Sequence, residues 1–371
     1  MRAIQLRKPY FPDDAKHRLL QDFSNILESG RLTLGPHLRE FEGLFSSKVG
    51  SRNALGVSSA TAGLHLAMLA LGIKPGDEVI VPAKTFISTA NAVLYCGGTP
   101  VFCDVQERTM NMDPDSLKKA LTKRTKAVVP VHLAGQPCDM DEITEICEPG
   151  SVTIVEDSAH SPYATYKGKC AGTFGKIGVF SFYPDKVLAS ADGGMVVTDD
   201  PETAEKIHLL RNCGRQALGD RHAALIGYNY RMNEFQAALG KCQLGMLDDM
   251  IWKRRKLAEH YDIELRGIPD VQTPYTAPDR THDFYAYMIH VRDARRKRFQ
   301  SKLAALGVET SIMFEPVYLQ RPYVQLFGRR QGLCPVSESL SDEAVSIPLH
   351  AGLEPNDLDY VCDSIKKVVA S

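Results

Sequence analysis

Seven short apolar runs recur through the first two hundred residues, and their spacing limits the fold more than any other feature. They lie at 54–57, 78–81, 99–103, 127–131, 152–155, 179–182 and 195–197. All are too short for a helix, and 152–155, 179–182 and 195–197 are rich in β-branched or aromatic residues, so they read as buried strands. Helical stretches separate most of them. After the first run comes 58–72, with a stripe of Ala62, Leu66, Leu69 and Ala70. The stretch 82–97 begins as a loop and becomes a helix. Asp113 is placed to cap a helix whose first position is Pro114. Further helices are expected from about Asp141 and over 202–210. Strands alternating with helices predict an α/β protein with a mainly parallel seven-stranded sheet, covered on both faces. Ahead of it, Pro9 and Pro12 punctuate an arm, and Asp13 can cap a helix carrying Leu19, Leu20, Phe23, Ile26 and Leu27. From about 247 the pattern changes to an amphipathic helix, then strands and helices around 283–291, and a helix near 295–306. The chain is therefore expected to divide into an N-terminal arm with a large domain, 1–246, and a smaller C-terminal α+β domain, 247–371.

Composition narrows the function. The net charge is -1, which calls for neither nucleic acid nor a membrane surface. No apolar run approaches membrane-spanning length, and the first residues lack an apolar signal core. The nine cysteines include no CxxC pair and read as reduced thiols of a cytoplasmic protein. No GxGxxG follows the first strand and no GxxxxGK[ST] occurs, so dinucleotide and P-loop sites are unsupported. No metal site is expected.

The chemistry-bearing residues sit at the exits of the last three runs. Glu156 and Asp157 close the fifth, Ser181 lies in the sixth, Lys186 follows in a proline-containing loop, and Gly193-Gly194 opens the seventh. In α/β sheets ligands gather at such strand ends. A carboxylate, a hydroxyl and a lone lysine there suit pyridoxal 5′-phosphate (PLP). A lysine amine with a lowered pKa can form a Schiff base with the PLP aldehyde. A carboxylate at the pyridine nitrogen keeps it protonated, so the ring can act as an electron sink. The helix N-terminus right after the first strand offers free N–H groups that suit a phosphate. Taken singly, each residue has an ordinary reading: turn or cap, solvated loop, strand or N-cap.

The motifs are VEDSAH (155–160), SFYPDK (181–186), GGMVVT (193–198) and GYNYRMNEFQAALGKCQL (227–244), with further matches at 28–50, 316–323 and 346–353. Over nearly the whole chain they resemble the DegT/DnrJ/EryC/StrS-type sugar aminotransferases, a branch of the fold-type I PLP-dependent transferases. The resemblance implies that Lys186 and Asp157 are catalytic: Lys186 holds PLP and moves the proton, and Asp157 pairs with the ring nitrogen. It places His160 near the ring's phenolic oxygen, Phe86 against the ring, and Ser59, Ala60, Thr61 and Ser181 at the phosphate. Asn229 would reach across a homodimer with shared active sites to the partner's cofactor phosphate, and Arg231 would lie near the substrate entrance. The plain alternative for Asn229 is a cap on the helix starting near Asn233. Three positions depart from the family pattern: Ala60 stands where glycine is usual, Cys213 where histidine is frequent, and Lys84 where a neutral or aromatic residue is expected. Lys84 and Cys213 receive no role, and the basic runs 253–256 and 295–298 read as solvated helix faces.

The implied reaction moves an amino group from glutamate or glutamine to a nucleotide-linked ketosugar through pyridoxamine 5′-phosphate. SFYP, the DGG turn and HLAGQ resemble relatives that aminate C3. Three other readings share parts of this pattern. The same machinery could act on a non-nucleotide cyclic ketone of the inosose or aminohydroxybenzoate type. A PLP-dependent sugar dehydratase is disfavoured by Lys186 and by the unclustered cysteines. A non-catalytic regulator would be expected to carry an added DNA-binding module.

Overall fold

The computed structural model describes residues 3–217, 219–291 and 296–370. In chain order its strands are β1 (Asn53–Val57), β2 (Glu78–Pro82), β3 (Thr99–Cys103), β4 (Thr125–Val128), β5 (Thr153–Asp157), β6 (Thr165–Tyr166), β7 (Lys169–Cys170), β8 (Ile177–Ser181), β9 (Gly194–Thr198), β10 (Val271–Gln272), β11 (Tyr287–Val291) and β12 (Ala344–Ile347). Seven of them form one sheet in the order β1-β9-β8-β5-β4-β2-β3. The pairs β2–β3, β2–β4, β4–β5 and β5–β8 are parallel, whereas β9 is antiparallel to both β8 and β1. A parallel return needs a long crossover, usually a helix. The segment 182–193 between β8 and β9 contains none, so β9 turns back beside β8.

This topology assembles the site. The C-terminal ends of β1, β2, β5 and β8 fall on one edge, and the reversed β9 starts at that edge. Gly194 pairs with both Ser181 and Val57. The helices α1 (Asp13–Ser29), α2 (Pro36–Val49), α3 (Ala60–Ala70) and α4 (Ile87–Tyr95) lead into or follow these strands. Helix α3 is buried over most of its surface, including Gly63, Leu64, Ala67 and Met68 beyond the expected stripe. A helix apolar all round belongs between layers, and α3 packs on β8, β9 and α4.

Two local expectations are corrected. Asp13 is the first residue of α1 and does not cap it; Pro12 holds the cap position without a side-chain bond. The fourth strand was expected at 127–131 but pairs regularly only over Thr125–Val128. Beyond it Val129 still donates to the Ile80 carbonyl, but Pro130 has no N–H and can only accept, from Asp157 at 2.9 Å. Asp113 caps its helix as read, accepting from Asp115 and Ser116. The hairpin β6–β7 was not expected.

Residues after 247 form the antiparallel sheet β10-β11-β12, covered by the helices Leu247–Glu264, Arg296–Ala305 and Pro355–Val369. The helix expected from 295 begins in the described residues at Arg296; Arg295 lies outside them. The N-terminal arm docks here through a bridge between Ile4 and Val308. Ile4 is buried in the same apolar cluster as Val308 and Phe299.

Candidate active site

At the shared strand edge a cavity of about 450 Å3 opens between the large sheet and the C-terminal residues Tyr285 and Ile312–314. Ser59, Ala60, Thr61, Phe86, Asp157, His160, Ser181 and Lys186 all line it. These are eight of the ten residues singled out from the sequence. Asn229 and Arg231 do not line it.

Asp157 ends β5 and is buried at 4% exposure. Its Oδ2 accepts from Thr89 Oγ1 at 2.8 Å and its Oδ1 from the Ala159 amide at 3.1 Å. Burial pushes its pKa up, against the Thr89 and Ala159 bonds and the Lys186 charge. A carboxylate this buried and only neutrally bonded calls for a cationic partner.

Lys186 follows β8, with its amide bonded back to the Tyr183 carbonyl at 2.9 Å. Its amine lies 3.5 Å from Asp185 Oδ1 and 4.2 Å from the centre of the Tyr285 ring. Burial lowers its pKa from 10.5 to about 8, with Asp185 opposing and Arg7 assisting. An amine so tuned yields its proton near neutral pH. Asp185 in turn accepts from Tyr285 at 2.8 Å and from Arg7 at 3.2 Å.

His160 stacks on Tyr285 (centroids 4.0 Å apart) and on Phe314 (5.8 Å). Burial, aided by Lys186 and Arg7, holds its pKa well below the usual range, so the ring is neutral. Nδ1 accepts from the Ala134 amide at 3.4 Å, which leaves the proton on Nε2.

Ser59 caps α3, its Oγ accepting from the Ala62 amide at 3.1 Å. Its own hydroxyl proton remains available to donate. The first amides of a helix have no intrahelical acceptor, which leaves those of Ala60 and Thr61, two residues that line the cavity, as donors. Thr61 Oγ1 pairs with Ser88 Oγ at 2.7 Å. Gly194 lets this turn approach β9: a Cβ there would lie 2.7 Å from the Ala60 nitrogen and 2.7 Å from the Phe180 oxygen. Gly193 carries φ +146, a conformation suited to glycine.

The donor set fits PLP. It offers a buried carboxylate for a ring nitrogen, a deprotonatable amine for an aldehyde, a helix N-terminus with hydroxyls for a phosphate, and aromatic walls for a ring. Among the described residues no group of three or more His, Cys, Asp or Glu is placed to hold a metal. None of the described helices is long and apolar enough to cross a membrane.

A family model for the DegT/DnrJ/EryC1/StrS aminotransferases matches residues 13–366. The chain belongs to the DegT/DnrJ/EryC1/StrS aminotransferase family. It is a PLP-dependent aminotransferase of α/β fold. The dTDP-3-amino-3,4,6-trideoxy-alpha-D-glucose transaminase of Streptomyces venezuelae is 38% identical over 346 residues, 93% of this chain and 90% of the relative. The GDP-perosamine synthase of Caulobacter vibrioides is 36% identical, covering 91% of each chain. Among solved structures, Spr1654 from Streptococcus pneumoniae in its PLP form is similar at a TM-score of 0.94 and 27% identity, covering 100% of this chain and 99% of that one.

In this aminotransferase Asn229 is exposed and does not cap the next helix. Asn233 does so, in a capping box with Gln236. The backbone of Asn229 bridges Asn212, and that of Arg231 bridges Val57, two residues before Ser59. Arg231 donates to Asn212 at 3.1 Å and to Cys213 Sγ at 3.6 Å. Sequence reading missed Thr89, Asp185, Arg7, Tyr285 and Phe314. Asp185 was visible inside SFYPDK, and Thr89 stands one turn after Phe86. Arg7 had no local signal; the bridge at Ile4 brings it in.

Proposed function

We propose that this aminotransferase moves an amino group from glutamate or glutamine to the ketone of a nucleotide-linked sugar, at C3. The observation that carries this is the convergence of Lys186, Asp157 and the α3 N-terminus on one cavity, in a chain at least 36% identical to two relatives named for nucleotide-linked amino sugars. PLP, when bound, supplies the electron sink and carries the amino group between donor and acceptor.

The residue roles follow from their settings. Lys186 would hold the cofactor and, when free, would move the proton at the substrate carbon, a task suited to an amine with pKa about 8. Asp157, fixed by Thr89 and Ala159, keeps a positive partner at the ring nitrogen. His160 would donate from Nε2 to the cofactor's phenolic oxygen, and Phe86 would lie against its ring. Ser59, Ala60, Thr61 and Ser181 bind the phosphate. Arg231 lies beside the route by which substrate enters.

The active unit in this reading is a homodimer in which Asn229 adds a phosphate donor to the partner's site. Its support is the exposure of Asn229 on a bonded ladder and the assignment of the cap to Asn233. The chain is read as a cytoplasmic protein of two domains, 1–246 and 247–371, supported by its two separate main sheets.

The test is to incubate the PLP-loaded protein with glutamate or glutamine and a panel of nucleotide-linked ketosugars, inososes and other cyclic ketones, following amino products by mass spectrometry. Amination of a 3-keto nucleotide sugar is expected. Turnover confined to a ketone without a nucleotide would overturn the substrate assignment.

A further inference from the structure

The geometry points to Lys84 as a positioning residue that fixes the aromatic wall of the cofactor cavity. This lysine departs from the family pattern, and its side chain is among the largest that are fully buried, at 1% exposure. Its ammonium donates to the Phe314 carbonyl at 3.0 Å and to Ser341 Oγ at 3.3 Å. Both partners belong to the C-terminal part of the chain. Lys84 itself begins the tripeptide that supplies Thr85 and Phe86 to the cavity.

Phe314 is the residue that needs holding. Its φ is +57, a region that bulky L-residues adopt only when their surroundings enforce it. Its ring lies 5.7 Å from Phe86 and 5.8 Å from His160, so the backbone twist at Phe314 decides where the wall stands against both. Lys84 bonds the carbonyl of that twisted residue.

Docking of the neighbouring helix does not depend on Lys84. Asp104 caps the helix Pro335–Glu343, accepting from the amides of Val336 and Ser337 at 2.9 and 2.8 Å and from Ser337 Oγ at 2.7 Å. Ser341, the second partner of Lys84, lies one turn further along and also donates to the Ser337 carbonyl at 2.8 Å. Removing Lys84 therefore leaves the helix anchored and leaves the Phe314 carbonyl with only the long 3.5 Å contact from Ser341 Oγ. Burial lowers the Lys84 pKa to about 8. The amine remains a donor in either protonation state, so the hold persists across that pH.

The inference rests on the chain being a PLP enzyme but not on its acceptor, so the test reads the cofactor. Lys84→Met, Lys84→Gln and Ser341→Ala are compared with the parent by PLP titration, by visible circular dichroism of the bound cofactor, and by melting of the cofactor-free protein. For Lys84→Met the expected result is a PLP dissociation constant raised about tenfold and the dichroic band reduced by at least half. Lys84→Gln, which keeps an N–H donor, should recover part of both. Ser341→Ala should change neither appreciably, because the Phe314 bond survives. An unchanged band and affinity in Lys84→Met would overturn the proposal. So would equal losses in Ser341→Ala and Lys84→Met that merely follow their melting temperatures. If Lys84→Met does not fold, Lys84→Gln decides: an unaltered band there overturns the proposal, and a weakened band at parent-like melting supports it.

Discussion

The amine of Lys186 lies 3.5 Å from Oδ1 of Asp185, its immediate neighbour in the chain. That contact, with the Tyr285 ring 4.2 Å away, is set against burial that lowers the lysine's pKa to about 8. The amine is thus placed for reaction at the expense of stability, a pattern common at catalytic sites.

The first prediction follows from this. Below pH 8 the Lys186 amine is charged in both folded and unfolded chains, and burying that charge opposes folding. Between 8 and 10.5 the folded chain releases its proton first. The unfolded chain then binds more protons, so stability rises with pH. Above that window the penalty is gone. Lys186→Met should therefore stabilise the cofactor-free protein at pH 7 by roughly 1–3 kcal/mol, at about 1.4 kcal/mol per pH unit, and the gain should fade as pH climbs through the window. Denaturant unfolding at pH 7 and pH 10 checks it; a less stable variant at pH 7 would contradict it.

The second prediction concerns Thr89, whose hydroxyl bonds Asp157 Oδ2 at 2.8 Å. That bond lowers the pKa of the carboxylate. Thr89→Val should raise it, moving the acid limb of the pH–rate profile to higher pH by up to about one unit, the equivalent of roughly 1.4 kcal/mol. Asp157→Ala should fold and lose on the order of 10²–10³ in kcat. Steady-state kinetics from pH 5 to 9 measure both. An unmoved acid limb in Thr89→Val would separate Asp157 from that titration.

The third prediction concerns Gly194. Any side chain there meets backbone atoms of Ala60 and Phe180 at 2.7 Å, and backbone cannot rotate away. Gly194→Ala should destabilise the protein by about 1–3 kcal/mol and weaken PLP binding through the displaced α3 N-terminus. Thermal unfolding with and without PLP reads both effects. Parent-like stability and affinity would show that the turn can shift freely.

The fourth prediction tests shared sites. Inactive Lys186→Ala chains and Asn229→Asp chains with weakened cofactor binding are mixed and allowed to exchange. A mixed dimer would hold one site with both lesions and one with neither, so activity should partly return. No recovery after verified exchange would mean that each site is built from one chain.

Sequence and structure divide the explanation unevenly. The strand runs, the cap at Asp113 and the motif residues Asp157, Ser181 and Lys186 were legible because each has a local cause: side-chain periodicity, a missing N–H, or a residue type at a strand exit. Asp13 was misread as a cap because Pro12 also permits the extended geometry a helix start requires, with φ -66 and ψ 162. The fourth strand was misplaced because apolar residues beyond Val128 continue an extended path in which Pro130 cannot donate.

Tertiary structure alone decided the rest. Arg7 reaches the cavity through a bridge between Ile4 and Val308, some three hundred residues apart. Lys84 looks like an ordinary loop cation until Phe314 and Ser341 fold over it. Such residues act through partners distant in sequence, and their burial and pKa are properties of the packed whole. The sequence by itself determined which groups could do the chemistry, because residue type and strand-end position are local. The fold decided their charge states, their spacing and which residues hold them, because desolvation and long-range contacts arise only on packing.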